Sequence, residues 1–443
     1  MSKPRLIKPR TLKGFRDYLP DTMIHREWLI DTAKRVFRSF GFAPIDTPAL
    51  EHAEILLGKG GEESDRQVYR FTRGKRDVAL RFDLTVPLAR FVAQHEHELG
   101  LPFKRYHVGP VWRGENTQRG RYREFMQCDF DTLGTESMMA DAETGLVIHE
   151  LFRAFGFERL GIHVNNRKVL TGLLATLDLQ AQSVAVLRAL DKLSKIGPDR
   201  VRQEMSEAAG ASDAQADAIL EFCGLEGDSP RVLDSAEEMV RSSDLGTQGI
   251  AELREVFEGF AAGGVGPDVA RLDLSIARGL DYYTGTVFET FLGDLPDIGS
   301  VCSGGRYDDL ASTYTKSHIP GIGASLGLDR LLAAMSELEM IPEVSTPASV
   351  FIAYFSEGRG ADYCRLAMEL RRAGIGTEVY PSPRKLGEQL KYADRRGFRI
   401  ALIIGDSEWE EGSCQVKQLA TKQSEAVPQA DLVGHLQAML SQD

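Results

Sequence analysis

The chain has 443 residues, which is enough for two or three domains that each bury a hydrophobic core. Its 42% hydrophobic and 27% charged residues exclude disordered and collagen-like chains, and no apolar run approaches the roughly 20 residues that span a membrane. The net charge of −12 argues against a general nucleic-acid coat protein, so we expect no DNA partner and RNA contacts only through local basic patches.

The chain opens with a predicted helix. From Asp21 to Phe40 the apolar residues recur at helical spacing, and Gly41 ends the run. Between Val68 and Leu133 the pattern changes to short runs that alternate with period two, which predicts antiparallel strands. We therefore expect an α+β domain that is built on an antiparallel sheet.

A helical insertion is predicted to interrupt this sheet. Residues 170–262 read as several helices rich in Ala, Leu, Glu and Arg. Strand-like sequence resumes from Leu272 to Leu292, and a helix is predicted from Leu328 onward. These later elements would complete the sheet, so residues 1–341 are predicted to form one domain.

A second, smaller domain is predicted after a linker at residues 342–347, where prolines and polar residues cluster. In residues 348–443, apolar strands alternate with helical patterns, which is typical of a small parallel α/β domain. The predicted strands are Val350–Tyr354, Gly376–Tyr380 and Arg399–Ile404, and the predicted helices are Asp362–Ala373 and Pro383–Arg396.

The five cysteines lie far apart in the sequence, and no Cys-x-x-Cys pair or His-Cys cluster has the spacing of metal ligands. A disulfide framework, a structural zinc ion and any other bound metal centre are therefore not expected. This use of cysteine is typical of the reducing cytoplasm, where we expect the protein to reside.

The segment Phe103–Gly134 carries the strongest chemical signal, and it reads as strand, loop and strand. Alternation in the second strand predicts an apolar face made of Tyr122, Met126, Cys128 and Phe130. The opposite face is predicted to carry Arg121, Arg123, Phe125, Gln127, Asp129 and Asp131. Guanidinium, aromatic, amide and carboxylate groups together are what an aminoacyl adenylate requires. The alternative is a half-buried strand whose polar face is merely solvated.

This segment resembles motif 2 of the class II aminoacyl-tRNA synthetases, and Arg278–Tyr283 resembles the histidine-specific motif of the histidyl-tRNA synthetases. Further matches, in family order, are Leu80–Thr85, Ser303–Asp308 and, as motif 3, Gly323–Arg330. The resemblance covers nearly the whole chain. It implies a class II catalytic domain followed by an α/β anticodon-binding domain. It also implies a ligase that activates histidine with ATP to histidyl-adenylate and pyrophosphate, and then transfers histidine to the 3′ end of tRNA-His.

The resemblance implies an ATP site made of Arg113, Glu115, Arg121, Phe125, Arg278 and Arg330. Arg113 and Arg278 are the implied catalytic residues, because cations beside the α-phosphate stabilise the negative charge that builds on phosphorus. The histidine carboxylate attacks directly, so no protein nucleophile is needed. ATP would enter as its Mg²⁺ complex, and no permanently bound cofactor is expected.

The implied histidine site consists of Asp83, Leu84, Thr85, Gln127, Asp131, Tyr282 and Tyr283. A neutral imidazole has one N–H donor and one nitrogen acceptor, which a carboxylate and a hydroxyl can satisfy. The resemblance gives this role to Asp131 and Tyr283. It leaves the α-amino group to Asp83, Thr85 and Gln127. The alternatives are that Asp83 is a turn or cap residue and that the tyrosines are ordinary strand aromatics.

A basic region in the C-terminal domain is predicted to contact tRNA. Arg371–Arg399 contains eight basic residues against three acidic ones, and Lys391 and Arg395 share a predicted exposed helix face. Such a run can also be a solvated surface, but the resemblance to anticodon-binding domains favours tRNA. Gln118 and Arg119 of motif 2 are the other implied tRNA-binding residues.

A homodimer is expected, because class II members pair through motif 1 and Phe42–Glu51 occupies that place. Phe42, Ile45 and Leu50 would contribute to its interface.

Three competing functions are weighed against the ligase. A histidine-sensing or regulatory paralogue typically lacks the C-terminal domain and the catalytic arginines, whereas this chain has both. A tRNA-sensing module is usually fused to an effector for which this chain has no room. The glycines of Gly321–Gly327 resemble a dinucleotide fingerprint, but the βα unit and ribose-binding acid that it requires are missing.

Overall fold

A computed structural model describes residues 7–58, 65–277, 282–341 and 346–441. These residues form two compact units, of which the first includes residues 29–340 and the second includes residues 346–441 together with residues 17–28. The predicted catalytic residue Arg278 and most of the predicted linker at 342–347 lie outside the described residues.

The first unit contains a large sheet and a small one. In chain order its strands are β1 (Ala43–Pro44), β2 (Leu50–His52), β3 (Arg70–Arg73), β4 (Arg76–Leu80), β5 (Phe103–Trp112), β6 (Glu124–Leu133), β7 (Leu160–Asn166), β8 (Ala270–Leu272), β9 (Thr286–Leu292), β10 (Cys302–Tyr307) and β11 (Gly321–Gly327). The large sheet has eight strands in the order β1-β5-β6-β11-β10-β9-β7-β8. Only its outermost pairs, β1 with β5 and β7 with β8, are parallel. The small sheet has the order β2-β4-β3.

The helices up to residue 337 include α1 (Pro20–Ser39), α2 (Ala53–Leu56), α3 (Thr85–Leu99), α4 (Met138–Ala154), α5 (Arg167–Thr176), α6 (Ser183–Leu190), α7 (Leu193–Ile196), α8 (Pro198–Ala209), α9 (Asp213–Cys223), α10 (Ser229–Val240), α11 (Asp244–Ala262) and α12 (Leu328–Glu337). Helices α5 to α11 form the helical insertion between β7 and β8, as the composition of residues 170–262 predicts.

Hydrophobic spacing explains why these elements form. In the second half of α1 the buried residues Leu29, Ala33, Val36 and Phe37 recur at helical intervals, and Gly41 then adopts a φ of +81°. Helix α4 buries one face against the large sheet, where Asp141 pairs with Arg306 of β10. The cavity described below lies on the opposite face of the sheet.

Strands β3 to β6 lie between Val68 and Leu133 and form antiparallel pairs as predicted, but the prediction misses α3 inside that range. Asp83 Oδ1 accepts hydrogen bonds from the backbone N–H groups of Thr85 at 3.2 Å and Val86 at 2.9 Å. These bonds satisfy donors that have no partner at a helix start. Asp83 is therefore the capping residue that the sequence offers as an alternative, and it also lines the cavity described below.

The second unit has one sheet of five strands in the order β13-β12-β14-β15-β16. Its strands are β12 (Val350–Ala353), β13 (Thr377–Val379), β14 (Ile400–Ile403), β15 (Ser413–Gln418) and β16 (Ser424–Pro428), and its helices are α13 (Gly360–Arg372), α14 (Leu386–Arg395), α15 (Asp406–Glu411) and α16 (Leu432–Leu440). The first three strands are parallel, as predicted, but β15 and β16 add an antiparallel hairpin that the prediction misses.

A buried amide fastens α14 to β12. Gln389 has no exposed surface, and its side chain donates to Tyr354 O at 2.5 Å and Arg384 O at 2.8 Å while accepting from Tyr354 N at 2.8 Å. Its polar groups are satisfied, so their burial costs little. Lys391 and Arg395 lie on the exposed side of the same helix.

The five cysteines are free thiols. No helix within the described ranges is long and apolar enough to cross a membrane. Among those residues there is also no cluster of three His, Cys, Asp or Glu side chains that could hold a metal ion.

Candidate active site

A cavity of about 320 Å³ opens on the face of the large sheet opposite α4. The predicted site residues that line it are Asp83, Thr85, Arg113, Glu115, Arg121, Phe125, Gln127, Asp131, Tyr282, Tyr283 and Arg330. Leu84, Gln118 and Arg119 are not among its lining residues, and Lys391 and Arg395 belong to the second unit. The structure thus brings most of the predicted ATP and histidine residues together in one place.

Arg113 is held at one end of the cavity by aromatic rings and a carbonyl. Its guanidinium carbon lies 4.3 Å from the centre of the Phe82 ring and 5.1 Å from that of Phe125. Its Nε donates to Phe82 O at 3.1 Å. Cation–π contacts and this hydrogen bond fix the cation while leaving its other donors available to an anion.

The loop between β5 and β6 folds back over this end. Gln118 and Arg121 exchange backbone hydrogen bonds of 3.2 and 3.0 Å around a turn in which Gly120 has a φ of +66°. A Cβ on Gly120 would lie 3.2 Å from Arg330 Cα, so the turn packs closely on the start of α12. Arg119, at the tip, is exposed and pairs with Glu337.

The predicted strand position of two arginines is wrong, because β6 begins only at Glu124. Arg121 still lines the cavity, with its Nη1 3.8 Å from Glu115 Oε2. Arg123 does not line it, since its Nε donates to Glu115 O at 3.1 Å and so braces the loop. Tyr122, predicted on the apolar face, also lines the cavity and accepts from Arg16 at 2.7 Å.

The first turn of α12 supplies the third group at this end. Asp329 is buried, accepts from Met126 N at 2.9 Å and lies 3.1 Å from Arg16 Nη2. These bonds dock the start of the helix on β6. The next residue, Arg330, is half-buried and donates to Ser300 O at 2.5 Å. This end of the cavity therefore has three partly exposed arginines, Arg113, Arg121 and Arg330.

At the other end the central group is Asp131, whose side chain is 4% exposed. Its Oδ1 accepts from the Tyr307 hydroxyl at 2.5 Å, and its Oδ2 lies 2.6 Å from Nη2 of the fully buried Arg105. Burial raises the pKa of Asp131, whereas Arg105 and the Tyr307 hydrogen bond lower it. The carboxylate is thus fixed from two sides but retains lone pairs for a ligand donor.

The absence of a side chain at Gly323 leaves space for the Asp131 carboxylate. A Cβ at Gly323 would lie 2.3 Å from Asp131 Oδ1 and 2.3 Å from Phe130 O. Such distances are too short for any side chain, so only glycine fits beside Asp131 on β11.

Two tyrosines close the same end. The rings of Tyr282 and Tyr283 lie 5.0 Å apart in an edge arrangement, and Tyr282 lies 6.0 Å from the ring of Tyr307. Tyr282 also shares a side-chain hydrogen bond with Thr85. Burial raises the pKa of the Tyr283 hydroxyl, so it stays neutral and can both donate and accept. These tyrosines therefore belong to the cavity wall and are not ordinary strand aromatics.

Buried groups beneath this end are missing from the sequence-based prediction. Arg105 and His107 on β5 lie opposite Asp131 and Asp129 on β6. His107 is 2% exposed, its Nε2 lies 2.9 Å from Asp46, and burial lowers its pKa to about 3. An Arg-x-His strand facing an Asp-x-Asp strand is a visible signal, although it becomes specific only when the register is known. Tyr307 and Ser325 lie within the matched motifs, which assign them no role.

Arg306, in the same motif as Tyr307, has a structural role. It is 2% exposed, pairs with the fully buried Asp141, and donates to Thr135 O at 3.0 Å. Its guanidinium thereby ties β10 to the start of α4, on the side of the sheet away from the cavity.

Comparison with known families agrees with this geometry. The family described as Histidyl-tRNA synthetase matches residues 14–331, and the one described as Anticodon binding domain matches residues 349–439. The chain belongs to the histidyl-tRNA synthetase family. Its reaction is that of this family: it activates histidine with ATP to histidyl-adenylate and pyrophosphate, and then transfers histidine to the 3′ end of tRNA-His.

Curated relatives support the assignment over almost the full length. A histidine–tRNA ligase of Rhodopirellula baltica is 59% identical, with 95% of this chain and 96% of the relative covered. One from Wolinella succinogenes is 45% identical over the same shares of the two chains, 95% and 96%. As a histidyl-tRNA synthetase family member, this chain is a ligase of the aminoacyl-tRNA synthetase group.

Solved structures agree in fold. A histidyl-tRNA synthetase from a Nostoc species is 35% identical with a TM-score of 0.89, covering 98% of this chain and 100% of that one. A Bacillus halodurans protein described as an ATP phosphoribosyltransferase regulatory subunit/histidyl-tRNA synthetase is 21% identical with a TM-score of 0.75, covering 90% of this chain and 99% of that one. The second likeness concerns the fold alone.

Proposed function

We propose that this chain activates histidine in the cavity above, with the amino acid at the Asp131 end and ATP at the Arg113 end. The observation that carries the proposal is the division of one cavity into a carboxylate and amide end and a guanidinium end. Histidine has a donor-bearing ring and an ammonium group, whereas ATP has phosphates and an aromatic base. The two ends match these two substrates in charge and shape.

At the ATP end, Arg113 would contact the α-phosphate and the histidine carboxylate, and the Phe125 ring would stack on adenine. Glu115 would accept from the adenine amino group. Arg121 and Arg330 would bind the outer phosphates, which enter with Mg²⁺ as part of the substrate complex. Arg278 is proposed from the sequence alone as the second catalytic cation. No permanently bound cofactor and no zinc ion is part of the proposal.

At the histidine end, Asp131 would accept from the imidazole N–H, and the Tyr283 hydroxyl would donate to the bare ring nitrogen. The α-ammonium group would be bound by Asp83, Thr85 and Gln127. Leu84 does not line the cavity, so it would contribute only indirectly, through its carbonyl, which accepts from Arg105 at 3.5 Å.

The chemistry then needs no protein nucleophile. The histidine carboxylate attacks the α-phosphorus, the bond to the β-phosphate oxygen breaks, and pyrophosphate leaves. In the second step a hydroxyl of the terminal tRNA ribose attacks the activated carbonyl, and AMP leaves. Fixed guanidinium groups lower the barrier of the first step, because they meet the charge that develops on the phosphoryl oxygens.

We also propose that tRNA-His contacts Lys391 and Arg395 on α14, and Gln118 and Arg119 at the loop tip. The first pair is exposed on a helix whose buried side faces its own sheet. Replacing Lys391 and Arg395 together with alanine should weaken tRNA charging and leave pyrophosphate exchange unchanged. Equal loss of both activities would contradict this division of roles.

A homodimer in the cytoplasm remains part of the proposal, with one correction to its interface. Phe42 is 3% exposed, and its ring lies 5.5 Å from that of Phe130, so it packs inside its own protomer. Leu50, which is 44% exposed, is the better interface candidate of the three predicted residues. Sedimentation that shows an active monomer at micromolar concentration would refute the dimer.

Histidine-dependent exchange of pyrophosphate into ATP tests the central proposal. Exchange should require histidine and fail with other amino acids, because buried polar groups are left unpaired by a substrate that lacks the imidazole. Charging of tRNA-His should follow in the same preparation. Binding of histidine without exchange would instead support a histidine-sensing protein.

A further inference from the structure

Three side chains at the wall of the cavity, Asp129, Ser325 and Gln127, are linked by hydrogen bonds, and we call them the relay. The Gln127 amide nitrogen donates to the Ser325 hydroxyl at 2.7 Å, and Ser325 in turn is hydrogen-bonded to Asp129. The sheet register explains the contact, since Asp129 on β6 pairs directly with Ser325 on β11. Gln127 and Ser325 line the cavity, whereas Asp129 is 2% exposed beneath it.

The other end of the amide remains available. Gln127 is 7% exposed, and its Oε1 is buried with no hydrogen-bond partner within the described part of the chain. A buried amide oxygen without a partner is costly, so such an atom in a cavity wall indicates a ligand donor. The ligand group that fits must donate hydrogen bonds.

The direction of the hydrogen bonds follows from the chemistry of each group. Once Asp129 is ionised, its carboxylate can only accept, so it takes the hydroxyl hydrogen of Ser325. The Ser325 oxygen is then left as an acceptor, and it takes the amide N–H of Gln127. The amide nitrogen is thereby held toward Ser325, which leaves the amide oxygen as the group available to a ligand donor. Without the hydroxyl, the amide could rotate by 180° and present two N–H donors instead.

We propose that Ser325 and Asp129 are positioning residues that fix the Gln127 amide so that the site accepts the α-ammonium group of its amino acid. This inference rests on the proposed function, which places that group beside Gln127. The relay gives the site a means of recognising the ammonium group, in addition to the imidazole pocket. An amide flipped to present its N–H groups would repel an ammonium ion. Neither Ser325 nor Asp129 needs to touch the reacting atoms.

The test compares histidine with 3-(imidazol-4-yl)propionate, which has the same ring and carboxylate but no α-amino group. Dissociation constants for both ligands would be measured by calorimetry with the full chain at about pH 8, above the pKa of about 7 to which burial raises Asp129. Ser325→Ala should weaken histidine roughly tenfold, because a hydrogen bond to a charged group is lost or inverted, and should change the deamino ligand by less than about twofold. Equal weakening of both ligands would overturn the relay. Failure of both ligands to bind to the unmodified chain would instead overturn the proposed histidine site.

A double-mutant cycle separates positioning from general damage. If Ser325 acts only through Gln127, the effect of Ser325→Ala on histidine should disappear in a Gln127→Met background. A full additional loss in that background would contradict the inference. Asp129→Asn, which can accept or donate, should weaken histidine less than Ser325→Ala and again spare the deamino ligand. Thermal unfolding of each variant checks that it is folded.

Discussion

The two ends of the active-site cavity hold their charges in different ways. At the histidine end, Asp131 is almost fully buried and is already paired with Arg105 and Tyr307. At the ATP end, Arg113, Arg121 and Arg330 are half-buried. Under the proposed assignment of substrates, the end that would bind histidine has a carboxylate already paired inside the protein, whereas the end that would bind ATP presents several half-buried cations to the ligand. Mutations at the two ends should therefore affect turnover and substrate binding differently.

The largest effect is expected at the ATP end from Arg113→Ala. This change removes a cation fixed against Phe82 and Phe125, so turnover in pyrophosphate exchange should fall by about 10²- to 10³-fold. Histidine affinity without ATP should change much less. The matched change Arg119→Ala, in the same loop but outside the cavity, should leave exchange unchanged. Near-normal exchange by the Arg113 variant would show that another group bears the charge.

A smaller effect, confined to histidine, is expected from Arg105→Met. The pKa of Asp131 should rise further, because Arg105 is the charge that opposes the effect of burial. The KM for histidine at pH 7 should increase roughly 10- to 100-fold, since a hydrogen bond to an ionised group contributes about 1.5–3 kcal/mol, while the KM for ATP stays nearly constant. Binding should recover as pH rises and Asp131 ionises. An equal rise in both KM values would contradict the separation of the two ends.

Tyr307→Phe is a milder form of this test, because it removes the hydrogen bond to Asp131 and leaves the ion pair between Asp131 and Arg105 intact.

Replacing Asp131 itself should affect stability as well as binding. It strands Arg105 without its closest counter-charge, and an orphaned buried charge costs about 3–5 kcal/mol of stability. The double variant Arg105→Met with Asp131→Asn would be a fairer comparison.

The smallest effect concerns stability and Asp129. Burial raises the pKa of Asp129 to about 7, against the opposing effect of Arg105, with Asp131 and Asp83 raising it further and His107 facing it from β5. Between pH 3.8 and about pH 7 the folded protein therefore keeps a proton that the unfolded chain, with the ordinary pKa of 3.8, releases. The associated stability is present at acidic pH and is lost as pH rises through about 7.

Asp129→Asn cannot ionise, so its melting temperature relative to the unmodified protein should increase between pH 5.5 and pH 8, by about 2–4 °C for each kcal/mol. A difference that is constant with pH would mean that Asp129 is ionised throughout this range.

Much of the fold and the cavity can be predicted from the sequence, and the misses have physical causes. Alternation places Phe125, Gln127 and Asp131 on the cavity face of β6, because a strand that covers a core must alternate. It fails for Arg123, because no periodicity shows that the strand starts only at Glu124. Helix α3 is missed because capping by Asp83 decides its start, and a single Asp is ambiguous in a sequence.

The buried layer is harder to predict. Pairing Arg105 with Asp131 requires the register of a hairpin whose connecting loop runs from residue 113 to residue 123, and such a loop does not set the register. Ser325 meets Asp129 across strands that are almost 200 residues apart in the chain. Local patterns identify the residues that face the ligand, whereas the groups that hold those residues depend on long-range pairing.

Gly323 has a consequence for protein engineering. The wall beside Asp131 is already reduced to backbone, since even a methyl group there would lie 2.3 Å from the carboxylate oxygen. Variants designed to charge tRNA with bulkier histidine analogues therefore cannot gain space by truncating a side chain at position 323. Space must come from the aromatic side, by trimming Tyr282 or Tyr283, and ring-substituted analogues should be selected according to which ring edge carries the substituent.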